Sequence, residues 1–147
     1  MKPRLLILLA ASLLLAADAK EDEGKKERKK LQGTWSVVSI EVNGEQVPMK
    51  DFKDFRWVIT ADKITWKDGK RDQDFNYELG PTQKPKTIDL LFPERGAQAK
   101  DQAIPGIYSL EGDTLKISYG KKKRPAEFKT QKGGDKQALF VLKREKP

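Results

Sequence analysis

Apolar and polar positions alternate with a period of two through most of this chain, the pattern of strands with one buried face. Gln73–Leu79 is the cleanest case, with Phe75, Tyr77 and Leu79 set against Asp74, Asn76 and Glu78. The same reading predicts strands at Thr34–Val42, Phe55–Thr60, Lys63–Lys67, Lys86–Phe92, Ile107–Leu110, Thr114–Tyr119 and Gln137–Lys143. Turn-forming residues punctuate them: Asn43-Gly44, Ala61-Asp62, Asp68-Gly69, Gly80-Pro81, Glu111-Gly112-Asp113 and Gly133-Gly134-Asp135. The first strand is ambiguous. Val38, Ile40 and Val42 lie on one face and Trp35 and Val37 on the other, so its inward register stays open. Ala138–Leu142 is nearly all apolar, which suits a strand covered on more than one side.

Two segments break the pattern. After Asn43-Gly44, Pro48 interrupts, and Met49, Phe52 and Phe55 recur every three residues, which predicts one or two turns of helix over an apolar surface. Such a segment serves as a plug at a barrel end or, alternatively, as a movable lid. Pro93–Ile104 is a polar connection longer than a hairpin needs, and loops of that length are often functional or simply mobile. Eight short sequential strands predict an all-β fold, an eight-stranded antiparallel up-and-down barrel with a short helical segment after strand 1. A two-sheet sandwich is the alternative, because strand order is not written in one sequence.

The N-terminus departs from the strand pattern. Lys2 and Arg4, the apolar run Leu5–Ala17 and Ala17-Asp18-Ala19 have the layout of a secretory signal peptide over residues 1–19. Export to the periplasm or the exterior is therefore expected, with no membrane-spanning segment in the mature chain. Lys20–Lys30 has one uncharged residue and is expected to be a solvated, disordered leader, with a helical turn at most just before Leu31. The single domain is expected over residues 31–144. There is no cysteine, so the fold must hold by packing without disulfides.

Charge adds a class of partner. The chain has 30 basic and 22 acidic residues, a net +8, and loss of Lys2, Arg4 and Asp18 with the signal leaves +7. Such an excess favours anionic partners. Most charges are interleaved in sign, which is a solubility pattern. The dense exception is Lys121, Lys122, Lys123 and Arg124, a candidate for contact with acidic envelope polymers. With Tyr119 and Phe128 on either side it has some elements of a single-strand nucleic-acid platform, but too few aromatics for one, so no specific nucleic acid is expected.

Gly33-Thr34-Trp35 on the first strand resembles the Gly-x-Trp opening of lipocalins. With LQGTWSVVSIEVNGEQVP, PKTIDL at Pro85–Leu90, GIYSLEGDTLKISY and RPAEF at Arg124–Phe128, the chain resembles a secreted lipocalin-like domain of unknown function common in planctomycete-type bacteria. The resemblance covers roughly Leu31 to Arg144. It implies a lipocalin-like fold, export, and barrel-closing roles for Gly33 and Trp35, but no reaction. That family often carries a cysteine near the end of the seventh strand, where this chain has Ser118, so no thiol-based role carries over.

The candidate chemistry is sparse. No histidine and no cysteine means no Ser-His-Asp or Cys-His catalysis, no imidazole acid–base work and no thiolate or histidine metal site. Asp72, Asp74 and Glu78 fall on the polar face of a strand, and Ser118-x-x-Lys121 lies at a strand end without the helix or partner motifs that serine–lysine hydrolases need. Neither an enzyme nor a cofactor or metal is expected. What remains is binding. A small apolar or amphipathic ligand is the expected partner of a monomer, with Trp57, Trp66, Tyr77 and Tyr108 as wall and Met49, Phe52 and Phe55 as cover. The alternative is a core filled by these same aromatics, with the loops and basic run making contact with an envelope partner.

Overall fold

The computed structural model describes residues 4–92 and 103–147, with side chains from residue 18 onward. A helix, α1 (Arg4–Leu31), leads into nine strands among the described residues: β1 (Gly33–Val42), β2 (Glu45–Gln46), β3 (Arg56–Ile59), β4 (Lys63–Lys67), β5 (Asp72–Gly80), β6 (Thr87–Leu91), β7 (Ile104–Glu111), β8 (Thr114–Gly120) and β9 (Gln137–Arg144). From β3 onward each strand pairs antiparallel with the next, β1 pairs with β3, and β9 returns to pair with β1. The result is a closed, eight-stranded antiparallel lipocalin-like barrel, with β2 a two-residue addition to β1 and a 3₁₀ turn at Met49–Asp51 after it. The sandwich alternative is excluded by the β1–β9 pairing.

The first strand's ambiguity has a physical cause. Val37 pairs with Leu142 but Ser39 pairs with Val141, so one extra residue sits between them as a β-bulge. The bulge resets the side-chain phase. Trp35 and Val37 before it and Ile40 after it all reach the core, while Val38 is 51% exposed. The turn after β1 has Asn43 at φ 49° and Gly44 at φ 81°, the two positive angles of a type I′ hairpin.

The interior is built from aromatic rings. Trp57 and Phe75 are fully buried, Trp66 packs against both, and Phe140 lies 5.0 Å from Trp57, centroid to centroid. Phe55, Phe92 and Tyr119 extend the cluster toward the end of the barrel that carries the 3₁₀ turn and the β4–β5 turn. On β7 both faces are covered. Tyr108 points inward, and Ile107 points outward beneath the β8–β9 connection, where Arg124 and Pro125 lie beside it.

The expectation of a disordered leader over Lys20–Lys30 is corrected by the structure. Residues 20–31 are helical, and the last turn docks on the barrel. Glu27 is 3% exposed and Leu31 is buried, so the segment buries an apolar side chain and a carboxylate that finds barrel partners in Tyr108 on β7 and Lys86 just before β6.

Candidate functional site

The two ends of the barrel differ in chemistry. One end is sealed by the C-terminal turns of α1. Glu27 receives hydrogen bonds from Lys30 Nζ (2.8 Å) and the Tyr108 hydroxyl (2.9 Å) and an ion pair from Lys86 (3.1 Å). Burial alone would raise the Glu27 pKa, but these three donors outweigh it and hold the carboxyl below its ordinary range. The Tyr108 hydroxyl is pushed the other way, first by burial and then by the Glu27 charge that its proton serves. Arg28 reaches across to donate to the carbonyls of Ala61 and Tyr77, both at 2.8 Å, and its guanidinium lies 4.4 Å from the Tyr77 ring centre.

Gly33 and Trp35 belong to this sealed end. The Trp35 indole donates to the Leu31 carbonyl at 2.9 Å, and the Arg144 guanidinium lies 4.2 Å from its ring centre. Arg144 also donates to the carbonyls of Gln32 and Lys30, both at 2.7 Å. Gly33 has φ 138°, and a Cβ there would come within 3.1 Å of that guanidinium, so both backbone angle and space call for glycine.

The other end carries a cleft of about 470 Å³, open to solvent. Phe52, Phe55 and Trp66 form its apolar wall, and Asp68, Arg71, Asp72 and Gln73 form its polar side. The β4–β5 turn shapes that side. Asp68 Oδ1 accepts from the backbone N–H groups of Arg71 (2.7 Å) and Lys70 (2.8 Å), which hold its carboxyl below the ordinary range. Asp72 lies 3.7 Å from Lys67 across the hairpin. Arg71 is left with an exposed guanidinium that has no hydrogen bond or ion pair among the described residues. The Trp66 indole N–H is shielded from water and likewise has no acceptor among them.

The sequence-predicted ligand residues are thereby divided. Phe52, Phe55 and Trp66 come together at the cleft, whereas Met49 packs against the core and is not among the residues lining it. Trp57 lies deeper, inside the ring cluster. Tyr77 and Tyr108 face the sealed end, with hydroxyls engaged by the Thr60 carbonyl (2.7 Å) and by Glu27. Sequence reasoning missed Arg71, whose signal was a basic residue just after the Asp68-Gly69 turn of a Trp-bearing hairpin. Asp74, on the polar face of its strand, is bonded to Lys63 and Thr65. Among the described residues no group of three or more histidine, cysteine, aspartate or glutamate side chains is placed to hold a metal. No helix among them is long and apolar enough to cross a membrane. Most of the Pro93–Ile104 connection lies outside the described residues.

No protein-family model matches this chain, and neither does any curated protein or solved structure.

Proposed function

We propose that the chain is an exported protein that binds a small amphipathic molecule at the open end of the barrel. The bound molecule has a flat or apolar body and an anionic end. One observation carries this reading: an aromatic wall of Phe52, Phe55 and Trp66 faces an unpaired guanidinium, Arg71, across a cleft of about 470 Å³. The volume falls in the range of small-molecule sites, and the combination of an apolar wall with a few convergent polar groups is what such sites share. The fork of Arg71 suits a carboxylate, sulfate or phosphate.

The barrel interior supplies walls and not volume. The rings of Trp57, Phe75 and Phe140 occupy the space that a deeply held ligand would need. Binding is therefore at the rim, and entry requires no opening of the core. The test is titration with long-chain carboxylates and aromatic acids, followed by tryptophan fluorescence and calorimetry. Trp66→Ala and Arg71→Gln are expected to abolish and weaken binding respectively, and Tyr77→Phe to leave it unchanged. Binding that survives both cleft variants would refute the assignment.

A further inference from the structure

The positive charge of this protein is gathered in one connection. Residues 121–136, joining β8 to β9, contain seven basic residues against Glu127 and Asp135, a net +5 of the chain's +8. The structure shows that this run is not a loose solvated loop. The Asp135 carboxylate accepts the backbone N–H groups of Lys122 (2.7 Å) and Lys123 (2.9 Å), and Lys121 N–H bonds the Lys136 carbonyl at 3.1 Å. Thr130 is buried and tied to Glu41 and to the N–H of Gly44. Gly120 makes the fold-back possible, because a Cβ there would lie 2.3 Å from the Lys123 carbonyl oxygen.

The cations are sorted by this scaffold. Arg124 is exposed but engaged on the barrel wall, pairing with Asp89 at 2.8 Å and donating to the Gly106 carbonyl at 2.7 Å. Lys132 pairs loosely with Glu45 at 3.6 Å. Lys121, Lys122, Lys123, Lys129 and Lys136 are exposed and have no ion-pair partner among the described residues. The outward array is thus made of lysine ammonium groups held on a fixed backbone.

We propose that this loop is a docking surface for an acidic polysaccharide. A long anionic chain gains from several ammonium groups at once, while each contact stays hydrated and free of strict geometry. Nucleic acid is disfavoured because stacking platforms are missing: Tyr119 is turned inward against Phe140 at 5.8 Å and Phe128 is half-buried. The surface is independent of the cleft at Arg71, and its test does not rely on a ligand there.

The experiment measures binding of the full mature chain to polygalacturonate at increasing salt. The variant Lys121→Glu/Lys122→Glu/Lys123→Glu is compared with Lys26→Glu/Lys116→Glu/Lys146→Glu, which has the same net charge, and circular dichroism checks that both fold. The loop variant is expected to lose about tenfold or more in affinity at low salt, with a shallower salt dependence, and the control to lose little. Equal losses would mean that whole-molecule charge is responsible, and would overturn the proposal. Asp135→Asn adds one positive charge but frees the backbone it pins. Weaker binding by that variant supports a fixed array, and stronger binding overturns it. Tighter binding of the wild-type chain to single-stranded DNA or to anionic phospholipid vesicles than to polygalacturonate would overturn the choice of partner.

Discussion

Tyr108 donates its hydroxyl proton to Glu27 from 2.9 Å, joining α1 to β7 across 81 positions of sequence. Both residues are nearly inaccessible to water; the Tyr108 hydroxyl has Glu27 as its acceptor, while the carboxylate is also served by Lys30 and Lys86. Tyr108→Phe is expected to cost about 1 kcal/mol of stability and Glu27→Ala about 2–3 kcal/mol, since the latter also leaves the buried Tyr108 hydroxyl without its acceptor. Urea titration of both single variants and the double variant measures the coupling. Strictly additive losses would show that the bond contributes nothing of its own.

The same carboxylate sets an acid limit. The folded pKa of Glu27 is lowered, so its contribution to stability is full above its unfolded value of about 4.5 and is lost as pH falls through the folded value. Stability is expected to fall below about pH 4.5, and Glu27→Gln is expected to flatten that part of the profile. Urea midpoints measured from pH 7 to pH 3 check this. A Glu27→Gln profile as steep as wild type would mean that other carboxylates dominate.

Truncation separates the useful part of the helix from the rest. Removing residues 1–26 should leave the barrel folded, because the hydrogen bonds and ion pairs from helix side chains to the barrel come, among the described residues, from Glu27 and Arg28. Removing residues 1–31 should lower the melting temperature by many degrees, since Leu31, Arg28 and the acceptor for the Trp35 indole all go. Thermal melts of the two fragments decide the matter.

The bulge predicts opposite fates for neighbours. Val38→Lys should change stability by less than about 0.5 kcal/mol, because that side chain already meets water. Val37→Lys should prevent folding or cost more than about 3 kcal/mol, since it would place an unpaired charge against Leu142 and the core. Equal tolerance at the two sites would place the bulge elsewhere.

Ser118 is fully buried and its hydroxyl has no hydrogen-bond partner among the described residues. An unmade hydrogen bond of this kind costs about 1–3 kcal/mol. Ser118→Ala is accordingly expected to be neutral or to raise the melting temperature by a few degrees, a rare outcome for a core substitution. A marked drop would reveal a partner for that hydroxyl, such as a bound water.

Most of the barrel is legible in the sequence because its strands alternate cleanly. Lys63–Lys67 has the same limits in both readings, and Gln73–Leu79 grows by one residue at each end. The bulge at Val38 is hidden because no glycine marks it; only the pairing with β9 reveals the extra residue. The docked turn of α1 is hidden for a different reason. A glutamate in a run of charges reads as solvated, and the groups that make its burial tolerable, Lys86 and Tyr108, lie far along the chain. The candidate site was half visible. Phe52, Phe55 and Trp66 stand out as aromatics, but a buried tryptophan such as Trp57 looks the same in a sequence as one on a cleft wall. Arg71 gains meaning only from the absence of a partner, which is a fact of three dimensions.

Closure of β9 on β1 also governs how this protein fails. A ring of strands offers no unpaired row of N–H and C=O groups along its wall, and the one appended strand, Glu45–Gln46, is too short to template another chain. The apolar Ala138–Leu142 segment, hazardous in an open sheet, is paired on both sides. There is no cysteine to cross-link copies, and strand-to-strand aggregation is expected to start from molecules in which the β1–β9 pairing has opened. Its rate should therefore track the unfolded population, so that whatever secures the helix at Glu27 also keeps the protein in solution.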